Sequence, residues 1–191
     1  LTPVNSTSYI YQDTNLFSRG TCAIRCLDIG TKDAINATGL SVSMGSGCTL
    51  ECTIGPMDTV PKISSAAIVE MSDNSRSSVF QLSYDVVSGG SSGRIETTIS
   101  TGSPQKSVSD YRPSGRVHIG SVYNSSTQKV TLYVNGIPMS ESSTVNMNSV
   151  TLTKITIGNL TDTTSATSPY RGLIADVRVT PTVLASSYFI A

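Results

Sequence analysis

The segment Lys129–Gly136 reads KVTLYVNG, and its reading decides the fold. Val130, Leu132 and Val134 alternate with Thr131, Tyr133 and Asn135, so one face is apolar. A period of two suits a half-buried strand, because successive side chains point to opposite faces. Asn135-Gly136 then supplies two residues that tolerate positive φ, as a type I′ hairpin turn requires. Upstream, Val117–Tyr123 (VHIGSVY) alternates in the same way, and the polar tip Asn124–Gln128 joins the two segments. Three consecutive antiparallel strands are expected here, buried as a hairpin, with any binding chemistry in the loops around them.

The same punctuated pattern continues outward. Strands are expected at Gly20–Ile29, Leu40–Met44, Cys48–Ile54, Ile63–Met71, Val79–Val87, Arg94–Ser100, Val150–Ile157 and Tyr170–Val179. Thr31–Thr38, Thr101–Ser114, Ile137–Asn148 and Asn159–Pro169 are polar and read as connections. Val183–Ala191 reads as a short helical turn or an edge strand. Leu1–Phe17 has little periodicity and reads as an extended N-terminal arm, leaving 18–191 as one domain. Amphipathic helix is essentially missing from the pattern. The fold class is therefore all-β: a two-sheet antiparallel β-sandwich, or jelly roll, of about 10–12 strands with little helix.

Composition narrows the partners. Of 191 residues only 14% are charged, 13 basic against 13 acidic. Such a weakly charged, balanced surface does not attract phosphate backbones, so nucleic acid is not an expected partner. No apolar run approaches the roughly 18 residues that span a bilayer, so membrane insertion is not expected either. No signal peptide is read at the start, and Leu1 is expected to be a processed or cloned terminus.

The four cysteines fall in two pairs, Cys22/Cys26 and Cys48/Cys52, with similar flanks (CAIRC and CTLEC). Residues four apart on a strand lie about 13 Å apart, too far for a bridge within either pair. Bridges between the segments fit. Cys22–Cys52 with Cys26–Cys48 shares one antiparallel register, and a parallel register would give Cys22–Cys48 with Cys26–Cys52. The antiparallel pairing is favoured, because antiparallel pairs are commoner. Reduced buried thiols and a four-thiolate zinc site are the alternatives. Disulfides would place the chain outside a reducing cytosol.

From about Cys48 to Ala185 the order of elements resembles the laminin G-like, concanavalin A-like jelly roll. Arg116-Val-His-Ile-Gly-Ser-Val-Tyr123, a short tip and Lys129-Val-Thr-Leu-Tyr-Val-Asn-Gly136 match that family's W-x-H-V-A-V-T-Y, turn, K-x-x-L-Y-V-D/N-G. Ile155-Thr-Ile-Gly158 matches its x-I-G strand end. Tyr170-Arg-Gly-Leu-Ile-Ala-Asp-Val-Arg-Val179 is similar to its closing F-x-G-x-I-D-D-V-R-I strand. Two positions depart: the usual Trp is Val117, and the first residue of the closing acidic pair is Ala175, which leaves Asp176 alone. The resemblance implies two curved antiparallel sheets. It implies function only loosely, because the fold hosts lectins, adhesion modules, glycanases and virion components.

Glycanases on this fold place carboxylates on alternate residues of one strand, E-x-D-x-E, so that acid and nucleophile sit about 5 Å apart. No such run occurs; Glu70 and Asp73 are three apart, and Asp85 and Glu96 are single. The chain is not expected to be an enzyme. His118, the only histidine, is expected to be a packed or hydrogen-bonded strand residue, and no Gly-x-Ser-x-Gly elbow accompanies it. Asp176 is expected to accept structural hydrogen bonds on a polar face shared with Arg178. No cofactor is expected. Calcium, which the resemblance implies at a sheet rim, would draw on Asp162, Asn159 and Asp110. Sugar platforms need exposed aromatic rings. The chain has 8 Tyr, 3 Phe and no Trp, and Tyr111 and Tyr170, in or beside loops, are the ring candidates. Asp73 and Asn74, at a hairpin tip, are the polar candidates. Sequons at Asn5, Asn36, Asn124 and Asn159 are expected in loops or arms and matter if the chain passes through a eukaryotic secretory route.

The expectation from the sequence is a non-enzymatic recognition or adhesion module, extracellular, on a cell surface or on a virion, with a glycan or surface protein as partner. The alternative is a structural subunit (coat, decoration, fibre or filament) that forms homo-oligomers when its N-terminal arm adds a strand to a neighbour's sheet. A glycan-active enzyme stands third.

Overall fold

A computed structural model of the chain describes residues 2–3, 9–11, 23–25, 35–57, 65–86, 93–109, 114–158, 170 and 172–189. The Asn135-Gly136 turn forms as its residues dictate. φ is 48° at Asn135 and 79° at Gly136, and Val134 pairs with Ile137 across the turn. Both residues thus occupy the left-handed region that a type I′ turn needs.

Alternation along the strands builds two sheets, each of seven strands. The first runs β1 (Thr2–Pro3), β4 (Ile35–Ser43), β13 (Thr151–Ile157), β6 (Ser65–Ser72), β7 (Val79–Val86), β8 (Gly93–Ser100) and β9 (Gln105–Val108). The second runs β12 (Ile137–Glu141), β11 (Lys129–Val134), β10 (Val117–Asn124), β5 (Cys48–Met57), β14 (Gly172–Thr180), β3 (Ala23–Arg25) and β2 (Tyr9–Tyr11). Every pairing is antiparallel. Among the described residues the only helical elements are the 3-10 turns Met44–Ser46 and Ser186–Phe189. This is a β-sandwich of jelly-roll type.

The inward faces meet in one core. Phe80, Leu82, Ile95, Ile99 and Leu152 come from the first sheet, and Leu50, Ile54, Ile119, Leu132 and Ile174 from the second, all fully buried. Each such side chain stabilises the fold by about 1.5–3 kcal/mol.

Two expected connections contain strand that the pattern does not announce, and a third holds the strand expected after the Asn-Gly turn. β4 begins at Ile35 inside the expected 31–38 loop, β9 lies in the expected 101–114 loop, and β12 lies in the expected 137–148 connection. β9 and β12 are edge strands of opposite sheets, and neither shows a buried apolar face. Side chains join them. Ser140 Oγ donates to Val108 O (2.6 Å) and accepts from Val108 N (2.9 Å), while Ser107 Oγ donates to Ser140 O (2.7 Å). One hydroxyl therefore satisfies backbone groups that an edge strand leaves open. Pro138, which has no N–H, fits the outer edge of β12 for the same reason.

The expected bridges Cys22–Cys52 and Cys26–Cys48 suppose that the two segments are neighbouring strands, whereas β14 lies between β3 and β5. Cys48 and Cys52 are free, buried thiols, and Cys22 and Cys26 lie outside the described residues. Pieces of the expected arm enter the chain's own sheets: Thr2–Pro3 pairs with β4, and Tyr9–Tyr11 with β3. Of the two readings of 183–191, the helical turn is the one that forms.

Candidate functional site

On β5, Cys48, Leu50, Cys52 and Ile54 enter the core, so Glu51 and Thr53 take the outward face of the second sheet. On β10, His118 pairs with Thr53 and Gly120 with Glu51, which puts His118 on that face. On β14, Ala175 pairs with Thr53 but Arg178 pairs with Glu51, one residue more than regular pairing allows. The extra residue is a bulge at Asp176, whose φ is 52°. Without it Val177 would stand opposite Glu51; with it a guanidinium does.

Glu51 is the centre of the arrangement. Its side chain is 3% exposed, its Oε1 lies 3.1 Å from Arg178 Nη1, and its Oε2 lies 3.5 Å from His118 Nε2. A carboxylate taken from water needs such partners.

The C-terminal 3-10 turn forms the wall. Thr49 Oγ1 donates to Thr182 O (2.9 Å) and accepts from Leu184 N (3.2 Å), which ties the segment before the turn to the sheet. Phe189 then lies over Gly120, where a Cβ would come within 2.9 Å of its ring. It also stacks on Tyr133, with centroids 4.8 Å apart. Tyr188 stands edge-on to Phe189, is 52% exposed, and its hydroxyl accepts from Arg178 Nη1 (3.1 Å). Asn135 closes the far side: its N–H donates to His118 O (2.8 Å), and its Oδ1 accepts from His118 N (3.0 Å). The hairpin stretch therefore contributes to the site as well as to the fold. Glu51, His118, Asn135, Arg178, Tyr188 and Phe189, with Thr53 and Arg116, line a cavity of about 450 Å³.

The residues expected from the sequence lie elsewhere. Tyr170 is fully buried and donates its hydroxyl to Gly55 O (2.8 Å), so it is a core residue and not an exposed sugar platform. Asp73 accepts from Ser77 N (2.9 Å), Ser77 Oγ (2.5 Å), Ser78 N (3.1 Å) and Ser75 Oγ (3.2 Å). Slight burial raises its pKa, but these hydrogen bonds outweigh that and hold the carboxyl below its ordinary range. Asn74 Oδ1 accepts from Thr153 Oγ1 (3.0 Å), and Asn74 O accepts from Lys154 Nζ (2.8 Å), docking the hairpin tip on β13. Both tip residues thus serve the turn and its docking on β13.

Tyr111, Asp110, Asn159, Asp162 and Asn5 lie outside the described residues. Among the described residues, no group of three His, Cys, Asp or Glu converges to hold a metal. Asn36 sits within β4, opposite Thr156, and not in a loop. Asn124 ends β10 and accepts from Ser126 N (2.9 Å) in the following turn. His118 is a strand residue, one-third exposed beside Glu51. Asp176 and Arg178 do not follow simple alternation, because of the bulge.

Glu51, Tyr188 and Phe189 were not expected. Glu51 carried a signal: it is the one charge within CTLECTI, at an outward alternate position. Tyr188 and Phe189 carried only their adjacency near the C-terminal end.

A family profile described as the concanavalin A-like lectin/glucanases superfamily matches residues 29–187. The chain belongs to this superfamily. Solved structures agree in fold. A heptameric SAP-like pentraxin from Limulus polyphemus is 15% identical, with a TM-score of 0.62 over 84% of this chain and 77% of that one. Domains LG4-5 of the mouse laminin alpha1 chain are 13% identical, with a TM-score of 0.57 over 81% of this chain and 40% of that one. The CBM40 of a Ruminococcus gnavus sialidase, bound to alpha2,3 sialyllactose, is 11% identical, with a TM-score of 0.58 over 83% of this chain and 95% of that one. At such identities the likeness is one of fold alone. A search of curated proteins finds no sequence match. No helix among the described residues is long and apolar enough to cross a membrane.

Proposed function

We propose that this superfamily member is a non-enzymatic recognition module that binds glycan in the cavity between the 3-10 turn Ser186–Phe189 and the outward face of the second sheet. One observation carries the reading: an exposed aromatic ring, Tyr188, stands beside a fixed polar floor in which Glu51 holds Arg178 and His118. Sugars present an apolar C–H face and a rim of hydroxyls, and a ring flanked by positioned polar groups suits both. Glycoside hydrolysis is disfavoured on chemistry. It uses two carboxyl groups, about 5–5.5 Å apart for retention or about 6.5–9.5 Å for inversion. Among the described residues lining this cavity Glu51 is the sole carboxylate, and Arg178 and His118 already engage it. On this reading the chain acts outside a cell or on a virion surface, where glycans are displayed.

A glycan array of the full chain tests the proposal. The expected result is binding to at least one glycan class, weakened about tenfold or more by Tyr188→Ala, the loss of roughly 1.4 kcal/mol of ring contact. Failure to bind every class on the array would overturn it.

A further inference from the structure

We infer that the cavity selects glycans bearing an oxyanion, a carboxylate or a sulfate ester. The inference rests on the glycan reading above and adds the chemical class. It comes from counting which hydrogen-bonding groups remain open to a ligand.

Arg178 gives Nη1 to Glu51 Oε1 (3.1 Å) and to the Tyr188 hydroxyl oxygen (3.1 Å). Its Nη2 and Nε have no partner among the described residues, and the side chain is 57% exposed. The Tyr188 hydroxyl accepts from Arg178, so its own hydrogen is left to donate outward. Asn135 uses its oxygen on His118 N, which leaves its NH2 group open to donate. Every open group named so far is a donor. Of the acceptors in the lining, Thr53 is buried, and Glu51 lies beneath the surface with Oε1 on the Arg178 guanidinium and Oε2 3.5 Å from His118 Nε2.

A neutral sugar hydroxyl both donates and accepts, so it would leave half of its capacity unmatched here. A carboxylate or sulfate oxygen only accepts, and so matches a wall of donors. The exposed Arg178 fork supplies the positive charge that an oxyanion would meet. A guanidinium also presents parallel N–H groups at the spacing of two oxyanion oxygens. Glu51 is on this account a positioning residue. It orients the Arg178 fork and does not touch the ligand.

Calorimetric titration of the full chain with lactose, 3′-sialyllactose and 6′-sulfolactose tests this. The carboxylate arm and the sulfate arm distinguish the two oxyanion sources. At least one anionic sugar is expected to bind about tenfold or more tighter than lactose. That preference should shrink between about 50 mM and about 500 mM salt, as screening shortens the Debye length. Arg178→Lys keeps the charge but loses the fork, and should reduce the preference. The double variant Glu51→Gln/Arg178→Gln removes the ion pair without leaving a lone buried carboxylate, and should abolish it. Equal binding of lactose and both anionic sugars would overturn oxyanion selection and leave glycan binding standing. Array hits confined to neutral glycans would do the same. An array with no hits would overturn the underlying reading instead.

Discussion

Thr97 and Ser121, one from each sheet, share a 2.6 Å hydrogen bond inside the core. Thr97 Oγ1 also donates to Gln81 O at 2.9 Å, so its single hydrogen is used there and Ser121 must be the donor in the shared bond. Both residues are fully buried. Two hydroxyls among aliphatic side chains are tolerable only because each satisfies the other.

That direction makes the two single substitutions unequal. Ser121→Ala removes a donor and leaves Thr97 its bond to Gln81 O, for a loss of about 1 kcal/mol. Thr97→Val strands the Ser121 hydroxyl in apolar surroundings and should cost about 2 kcal/mol. The double variant should cost clearly less than the sum, since no buried hydroxyl is then left unpaired. Urea unfolding of the four proteins measures this cycle; strict additivity would refute the coupling.

Gly120 lies under Phe189 because the ring needs the space that a side chain would fill. A Cβ at 120 would come 2.9 Å from Phe189 Cε1. Gly120→Ala should therefore lift the ring and the 3-10 turn that carries it, at about 1–3 kcal/mol. Glycan binding should fall with it, because Tyr188 belongs to the same turn. Thermal unfolding and calorimetry on one preparation would show both effects. Unchanged binding in a destabilised variant would mean that the turn does not form the wall of the site.

Cys48 and Cys52 give an alkaline signature. Burial pushes the Cys48 thiol from 9.0 up to about 12. Burial also pushes the Cys52 thiol up, followed by the negative charges of Glu51 and Asp176. A pKa raised in the folded state means that the native protein holds protons which the unfolded chain releases. The associated stability is complete below the unfolded value and is lost as pH rises from 9.0 toward about 12. Native alkylation near pH 8 should spare both thiols, whereas denatured protein should label at both, as mass mapping would show. An equal alkaline slope in wild type and in Cys48→Ala/Cys52→Ala would exclude these thiols as its source.

How much was legible follows from how local each signal is. Val130, Leu132, Val134 and the Asn-Gly pair state a strand and a turn within eight residues, and the structure forms both. Ser107 and Ser140, whose side chains close the sandwich edge, are 33 residues apart, and nothing local marks them as partners. Tyr170 shows the limit from the other side. Beside a loop it reads as an exposed ring, yet its hydroxyl finds Gly55 O, 115 residues away, and the ring is buried.

By itself the sequence determined the fold class, most of the strands and the family. These rest on period-two alternation and turn chemistry, interactions that act over a few residues. The tertiary structure alone decided the site. Glu51 and Arg178 stand 127 residues apart and meet only because β14 lies beside β5. The bulge at Asp176 then turns Arg178, and not Val177, toward the carboxylate. A one-residue shift in a strand reverses which side chains face outward, and that shift is set by pairing with a distant strand.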